Sequence, residues 1–385
     1  MGGKMKNIVF NKQFWQAVAI LVGTIIGAGI LGIPYVIAQS GFLSGLGIIV
    51  LLGLAAMIIN LMIAEVMMRT RFRHQLSGLA GKYLGKPFEH IQALSVIIGT
   101  YGGLTAYIIG EGQVLSVLFG TPEKNLQYSL LFLLIGTIIL LIGLRIIKVL
   151  ETFLVLLLIL ALLVITGWSL PSLDLSNLVY NHFDKMFVPY GVLLFAYGGM
   201  GSIFSIKEVL NKKKHLIRPA IIVGSLIPLI LYALFAFIVV GVTGLATTDI
   251  ATIGLGATIG YKILLVSNIF AVLAMATSFF TLGIGLLQLF HFDYRLPVWL
   301  SWLLVIIFPL MIFLFVSHNF IQVIGTAGSL TFGLTGVLVV LSFWRAKKEG
   351  DQQPAFSLPK FKWVGLSLVA MFTVGFALTI IKLFS

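Results

Sequence analysis

The 385-residue chain contains no cysteine. Disulfides, thiolate nucleophiles and Cys-ligated metals are therefore excluded. Charge is also scarce: 10% of residues are charged and only 12 are acidic, against about 25% charged in soluble domains. No histidine lies mid-way along an apolar run, and no Ser-His-Asp grouping, Walker motif or metal-ligand spacing occurs. An ATP-driven pump would need a nucleotide-binding domain, and the chain has none. A membrane-embedded transferase would need several acids or histidines at one depth, and these too are missing. What is present is apolar. The residues AVILMFWYC make up 59% of the chain, with 41 Gly and 30 Phe, and mean hydropathy is +1.12. A water-soluble fold could not dispose of that surface, so the chain is expected to be an all-α, polytopic membrane protein.

A span needs about 20 apolar residues. Eleven such runs are read, at 14–39, 43–69, 90–119, 127–145, 149–168, 187–210, 217–242, 258–290, 298–316, 319–342 and 361–384. Lys4, Lys6 and Lys12 precede the first like a signal-peptide n-region. The apolar stretch is too long for an h-region and no A-x-A site follows, so it is expected to remain as a helix. With the N-terminus inside, only Lys124, Lys185, Lys262 and Lys382 fall outside, which leaves 21 of the 25 basic residues on the cytoplasmic face. That bias predicts an N-in, C-out chain in the plasma (inner) membrane. The net charge of +13 is then a topology signal, and no nucleic-acid partner is expected. Segment 243–257 has room for a short helix around Thr248-Asp249-Ile250-Ala251.

Two spans carry glycine clusters at their middle. Span one reads Val22-Gly23-Thr24-Ile25-Ile26-Gly27-Ala28-Gly29-Ile30-Leu31-Gly32-Ile33-Pro34. Span six contains Leu194-Phe195-Ala196-Tyr197-Gly198-Gly199-Met200-Gly201. Each interior Gly costs about 1 kcal/mol relative to Ala, so neighbouring glycines favour a break. The alternative is close helix packing. An odd offset of five spans makes the two helices run oppositely, as in inverted repeats with discontinuous helices. The expected repeats are 14–168 and 187–342, preceded by an N-terminal segment 1–13 and followed by an additional helix 361–384. A half-helix opening after Gly29 presents N–H groups that suit a carboxylate. One ending near Ala196 and Tyr197 presents carbonyls that suit an ammonium or a cation. Together they match an α-amino acid.

Gly27-Ala28-Gly29-Ile30-Leu31-Gly32-Ile33-Pro34 with Gly41-Phe42, Leu193 to Gly199, and Ala274-Met275-Ala276-Thr277-Ser278-Phe279-Phe280-Thr281-Leu282-Gly283 are similar to helices one, six and eight of a known group. The chain resembles the amino acid/auxin permease and aromatic amino acid (tryptophan/tyrosine) permease group of the amino acid–polyamine–organocation superfamily. The resemblance runs over essentially the whole chain and includes Glu65 and Glu208 closing spans two and six. It implies the five-plus-five fold of the bacterial leucine transporter and secondary transport of amino acids. It places Gly27, Ala28, Gly29 and Ile30 at the substrate carboxylate, and Phe195, Ala196, Tyr197 and Gly198 at its amine and side chain. In sodium-coupled relatives an ion lies between helices one and eight. That set maps to the carbonyls of Gly23, Ile26 and Ala274 and the hydroxyls of Thr277 and Ser278. Some proton-coupled relatives put a helix-five lysine there instead. Span five from Thr152 to Trp168 has none, which favours sodium. The hydroxyls could equally bond back to their own helix.

Three acids need a reason, since a mid-bilayer carboxylate costs about 2.5–3.5 kcal/mol on insertion scales. Glu65 lies four residues before Arg69, which fits an i,i+4 pair or an inner gate, and Glu208 next to Lys207 reads similarly. Glu111, in Tyr107-Ile108-Ile109-Gly110-Glu111-Gly112-Gln113, has no basic residue within a turn. Its open roles are structural, vestibular, proton-coupling or contact with a cationic substrate. Tyr101 with Gly102 and Gly103 lies near the middle of span three, as packing or as part of the pocket. With Phe195, Tyr197 and Ser278, this points to a neutral side chain. The expected function is a symporter of neutral L-amino acids, coupled to sodium or to protons. It needs no other cofactor, and its expected partners are the small-molecule amino acid and the lipid bilayer, with no obligate protein partner. A proton-coupled permease or exchanger is the alternative, and a transport-dead sensor of the same fold or an integral-membrane enzyme is the remote one.

Overall fold

A computed structural model of the protein describes residues 11–71, 75–142, 145–316 and 318–384. Lys4, Lys6 and Arg73, which enter the charge argument, lie outside the described residues, as do 143 and 144 in the fourth run. The described residues are helical throughout, with one isolated bridge, Gly41 to Asn181.

The first apolar run forms two helices, α1 (Lys12–Ile25) and α2 (Gly29–Ser40), bent by 57° at the intervening residues. Asn11 caps α1, its side-chain oxygen accepting from the N–H groups of Gln13 at 3.1 Å and Phe14 at 3.4 Å. Then follow α3 (Phe42–Arg69), the short α4 (Leu76–Leu84), α5 (Lys86–Leu118), α6 (Asn125–Ile142) and α7 (Arg145–Ser169). The sixth run is also interrupted, giving α8 (Pro189–Ala196) and α9 (Ser202–Val209). The chain continues with α10 (Ile217–Thr243), α11 (Ala251–Ile259), α12 (Tyr261–Gln288), α13 (Val298–Phe315), α14 (Phe320–Glu349) and α15 (Lys362–Phe384). Among the described residues, eight helices are long and apolar enough to cross a membrane, and the bent pair α1–α2 makes a ninth as one broken span.

Three differences from the sequence reading have local causes. Between the second and third apolar runs the chain forms a further helix, α4. It ends at Gly85, whose φ of 104° turns the chain directly into α5, so α5 starts at Lys86 rather than near 90. The outer short helix lies at 251–259, later than the 248–251 segment. Gly260, at φ 128°, separates it from α12. Helix α14 continues to Glu349 because its last turn is anchored by Lys347.

Burial sorts the helices. In α14, 67% of the apolar window is inside the protein and in α3 56%, whereas α13 and α15 have 22%. The first two are central, and the last two present their apolar faces outward to lipid. The loop 170–188 is stitched to the α2–α3 turn: His182 N–H donates to the Ser40 carbonyl at 3.1 Å. Gly41 there has φ 86°, and a Cβ on it would lie 2.5 Å from Asn181 Cα. Only glycine fits that close approach. At the opposite end, segment 350–358 straps α3. Gln352 Nε2 donates to the carbonyls of Met68 and Thr70 at 2.8 and 3.2 Å, and Leu358 N–H donates to Glu65 at 2.6 Å.

Candidate functional site

The two interruptions face each other. A Cβ on Gly29, the first residue of α2, would lie 2.6 Å from the Cα of Ala196, the last residue of α8. A Cβ on Gly199, in the second interruption, would lie 2.7 Å from Ile25, the last residue of α1. The helix ends therefore interlock, and only glycine allows the approach. Ending a helix inside a membrane exposes main-chain groups that must be satisfied by protein. The buried Tyr232 of α10 does this for both helices at once. Its hydroxyl sits 2.6 Å from the Ile25 carbonyl and 3.0 Å from the Ala196 carbonyl. Both are C-terminal carbonyls, each at the negative end of a helix dipole. Ile25 O also accepts from Gly27 N–H at 2.9 Å. Across from them, α2 opens with Ala28 and Gly29, whose N–H groups lie at the positive end of that helix. A carboxylate acceptor and an ammonium donor could thus be held within one small space.

Helices α5 and α12 close the other side. Ser278 Oγ would lie 2.6 Å from a Cβ on Gly27, and the Tyr107 hydroxyl 3.9 Å from it. The Tyr107 hydroxyl and Ser278 thus sit side by side at Gly27. The Tyr107 ring stands edge-on to Phe195 with centroids 6.3 Å apart. A Cβ on Gly103, one turn before Tyr107, would lie 2.7 Å from Leu282 Cδ1 and 3.3 Å from the Phe195 ring. Gly27, Gly29, Phe195, Ala196, Ser278 and Tyr107 are therefore brought together, with the buried Ala28 and Ile30 beside them.

Other expected residues point elsewhere. The Tyr101 ring packs on Phe308 of α13, centroids 5.1 Å apart, and Gly102 faces Ala327 of α14. Gly103 is the member of that triplet that faces the interruption. The Tyr197 hydroxyl donates to the Ile49 carbonyl on α3 at 3.0 Å, into space left by Gly53. Gly198 is exposed. Of the expected ion ligands, Gly23 is half-buried, and Ile26 and Ala274 are buried. The Thr277 hydroxyl donates to Leu273 O at 2.8 Å and lies 3.1 Å from Ala274 O. Its own helix thus engages it, while Ser278 sits beside Tyr107.

Glu65 is fully buried in an inner cluster. Its Oε1 accepts from Arg69 Nε and from Lys347 Nζ, each at 2.9 Å. Glu111 is also fully buried, and neither carboxyl oxygen has a hydrogen-bond partner. Among the described residues, no three His, Cys, Asp or Glu side chains gather as a metal site. Tyr232 is not legible as a site residue in the sequence, and Gly103 is legible there only together with Tyr101 and Gly102. The available signal for Tyr232 was a phenolic hydroxyl in an apolar span, which must find a partner when buried.

Two interrupted helices interlocked inside a bundle of membrane-length helices define an integral membrane protein. Over residues 10–382 the chain matches the tryptophan/tyrosine permease family, and it belongs to that family. It is thus related to permeases and is not an enzyme. It is 28% identical to tyrosine-specific transport system 1 of Haemophilus influenzae, over 94% of each chain. It is 27% identical to glutamine transporter 2 of Aliivibrio fischeri, over 72% of this chain and 74% of that one. With the low affinity tryptophan permease of Escherichia coli the identity is 23%, over 96% and 94%. A crystal structure of a mutant manganese transporter from Eremococcus coleocola superposes with a TM-score of 0.63 at 14% identity, covering 97% of this chain and 87% of the other. That likeness concerns the fold alone.

Proposed function

We propose that the protein is a secondary transporter of a neutral L-amino acid with an aromatic side chain. The observation that carries this reading is the meeting of the two interrupted helices, with amides at Ala28 and Gly29 and carbonyls at Ile25 and Ala196. Main-chain groups bind the part common to all amino acids. The rings of Phe195 and Tyr107 receive the side chain beside Gly103, whose lack of a Cβ lets Leu282 and Phe195 approach. The tyrosine, tryptophan and glutamine relatives agree with a neutral substrate.

The architecture we infer is eleven spans. Residues 14–168 and 187–342 form two inverted repeats, as in the bacterial leucine transporter, and 361–384 is an added helix. The N-terminus lies in the cytoplasm and the C-terminus outside the plasma (inner) membrane. Helices α1–α2 and α8–α9 rock against the remainder to expose the site to each side in turn. Thermal-shift screening of the twenty amino acids, with and without sodium, tests the reading. Stabilisation by tyrosine or tryptophan supports it, and no shift with any amino acid opposes it.

Sodium is the first candidate for the coupling ion, held by the carbonyls of Gly23, Ile26 and Ala274 and the hydroxyls of Thr277 and Ser278. The double variant Thr277→Ala/Ser278→Ala then raises the sodium concentration needed for uptake. Unchanged sodium dependence removes these residues from the account. A proton is the second candidate. It is favoured by the engagement of the Thr277 hydroxyl by its own helix and by the buried, unpartnered carboxyl of Glu111.

A further inference from the structure

We infer that Glu111 is the proton-binding group of the transport cycle, taking up one proton per amino acid carried. This rests on the transport reading above and goes beyond it by naming the group and its route.

Glu111 is fully buried, and both carboxyl oxygens lack a hydrogen-bond partner. A compensating charge would have to come from the elements packed against α5. These elements are α4, α6, α12, α13, α14 and the turn Pro122–Lys124. The ionisable groups of α4 (Lys82, Tyr83) and of α14 (Arg345, Lys347, Lys348, Glu349) lie at the cytoplasmic end. Glu65, Arg69 and Lys347 are tied to one another there. Helix α13 carries no ionisable side chain. On α12, Gly110 faces Met275, so Glu111 lies level with Ala274. Tyr261 and Lys262 are then about 18 Å further out along that helix. Glu123, Lys124 and Tyr128 lie at the outer end, where Tyr128 pairs with Thr121 and stacks on Phe119. His318, before α14, is exposed beside Phe313, and Asp249 binds Asn319 at the outer surface. On α5 itself, Lys86, Glu89 and His90 are at the far end. The only ionisable group within a turn is Tyr107. Its hydroxyl lies beside Ser278 at the α1–α2 interruption, next to Gly27.

A carboxylate in that position would lack both counter-charge and donors. The carboxylic acid is the form this packing accepts. Ionisation therefore requires water, and water requires the site to open. The outer position on α5 exposes Glu111 to the external solution when the outer side opens. There the carboxylate takes a proton from hydronium and leaves water. Closure buries the neutral acid, and opening inward returns the proton to water. Tyr107, one turn away on the same helix, links this event to the packing of Ser278 on Gly27, and hence to the substrate site.

The test uses the full-length protein in proteoliposomes with labelled L-tyrosine and L-tryptophan as probes. An inward gradient of one pH unit can support up to about tenfold accumulation per proton. Wild type is expected to accumulate label under that gradient, and its substrate affinity is expected to vary with pH. E111Q is expected to bind the probe with a flat pH profile and to show no gradient-driven accumulation, while E111D restores both. E111Q that still accumulates label under the pH gradient overturns the assignment. So does a wild-type affinity that does not vary with pH. Wild type that shows no counterflow of either probe instead refutes the transport reading beneath it. Binding by E111Q, and a melting temperature at or above wild type, separates lost coupling from a lost fold.

Discussion

Tyr232→Phe deletes one oxygen from the centre of the site and leaves the ring in place. Among the described residues, the Tyr232 hydroxyl is the side-chain donor at the Ile25 carbonyl (2.6 Å) and at the Ala196 carbonyl (3.0 Å). Ile25 O keeps a donor, because Gly27 N–H reaches it at 2.9 Å. Ala196 O, at a helix end, is left without the Tyr232 proton. One buried acceptor without a donor costs about 1–3 kcal/mol. The contact between the Tyr232 and Tyr197 rings, centroids 5.3 Å apart, needs no hydroxyl. A loss of about 2 kcal/mol is therefore expected, seen as a melting temperature a few degrees lower in detergent. A bound ammonium would give Ala196 O a new donor. Saturating amino acid should then stabilise the Phe variant more than it stabilises wild type. Equal melting temperatures and equal ligand shifts would refute the claim that both helix ends are held through this hydroxyl.

Further outcomes follow from the packing. Gly29→Ala puts a methyl 2.6 Å from the Ala196 backbone, and substrate binding should be lost. Gly201→Ala, with nothing within 4 Å of its added Cβ, should still bind substrate in the same assay. Glu65→Ala leaves Arg69 and Lys347 facing each other without their anion, at a cost of about 3–5 kcal/mol. Adding Lys347→Met should recover part of the melting temperature. At the inner surface, the Lys82 ammonium and the Arg71 N–H hold the Asp351 carboxyl below its usual range. A depressed carboxyl stabilises the fold above its ordinary value of about 3.9 and loses that contribution as pH falls through the lower folded value. Asp351→Asn should therefore melt below wild type at pH 7, with the gap closing in acid.

What could be read from the sequence was local chemistry. Gly27, Gly29, Gly198 and Gly199 cost a helix enough to mark both interruptions, and the observed ends at Ile25 and Ala196 fall within them. The Glu65–Arg69 pair follows from i,i+4 spacing. Lys347, 282 residues away from Glu65, does not, and neither does Leu358. Tyr232 is hidden for the same reason: its two acceptors lie 207 and 36 residues away. The triplet Tyr101-Gly102-Gly103 shows the limit of depth arguments. All three lie near mid-helix, but only Gly103 faces Phe195, because direction around a helix depends on which neighbour packs there. Glu111 stood out on spacing alone, but its lack of any partner became visible only with the surrounding helices in place.

The most direct test of the account is counterflow. Proteoliposomes containing the purified protein are loaded with unlabelled L-tyrosine or L-tryptophan and diluted into labelled amino acid, with no ion gradient. The account predicts transient accumulation of label in wild type and none in Gly29→Ala. Counterflow that is absent for all twenty amino acids, or equal in the two proteins, would contradict it.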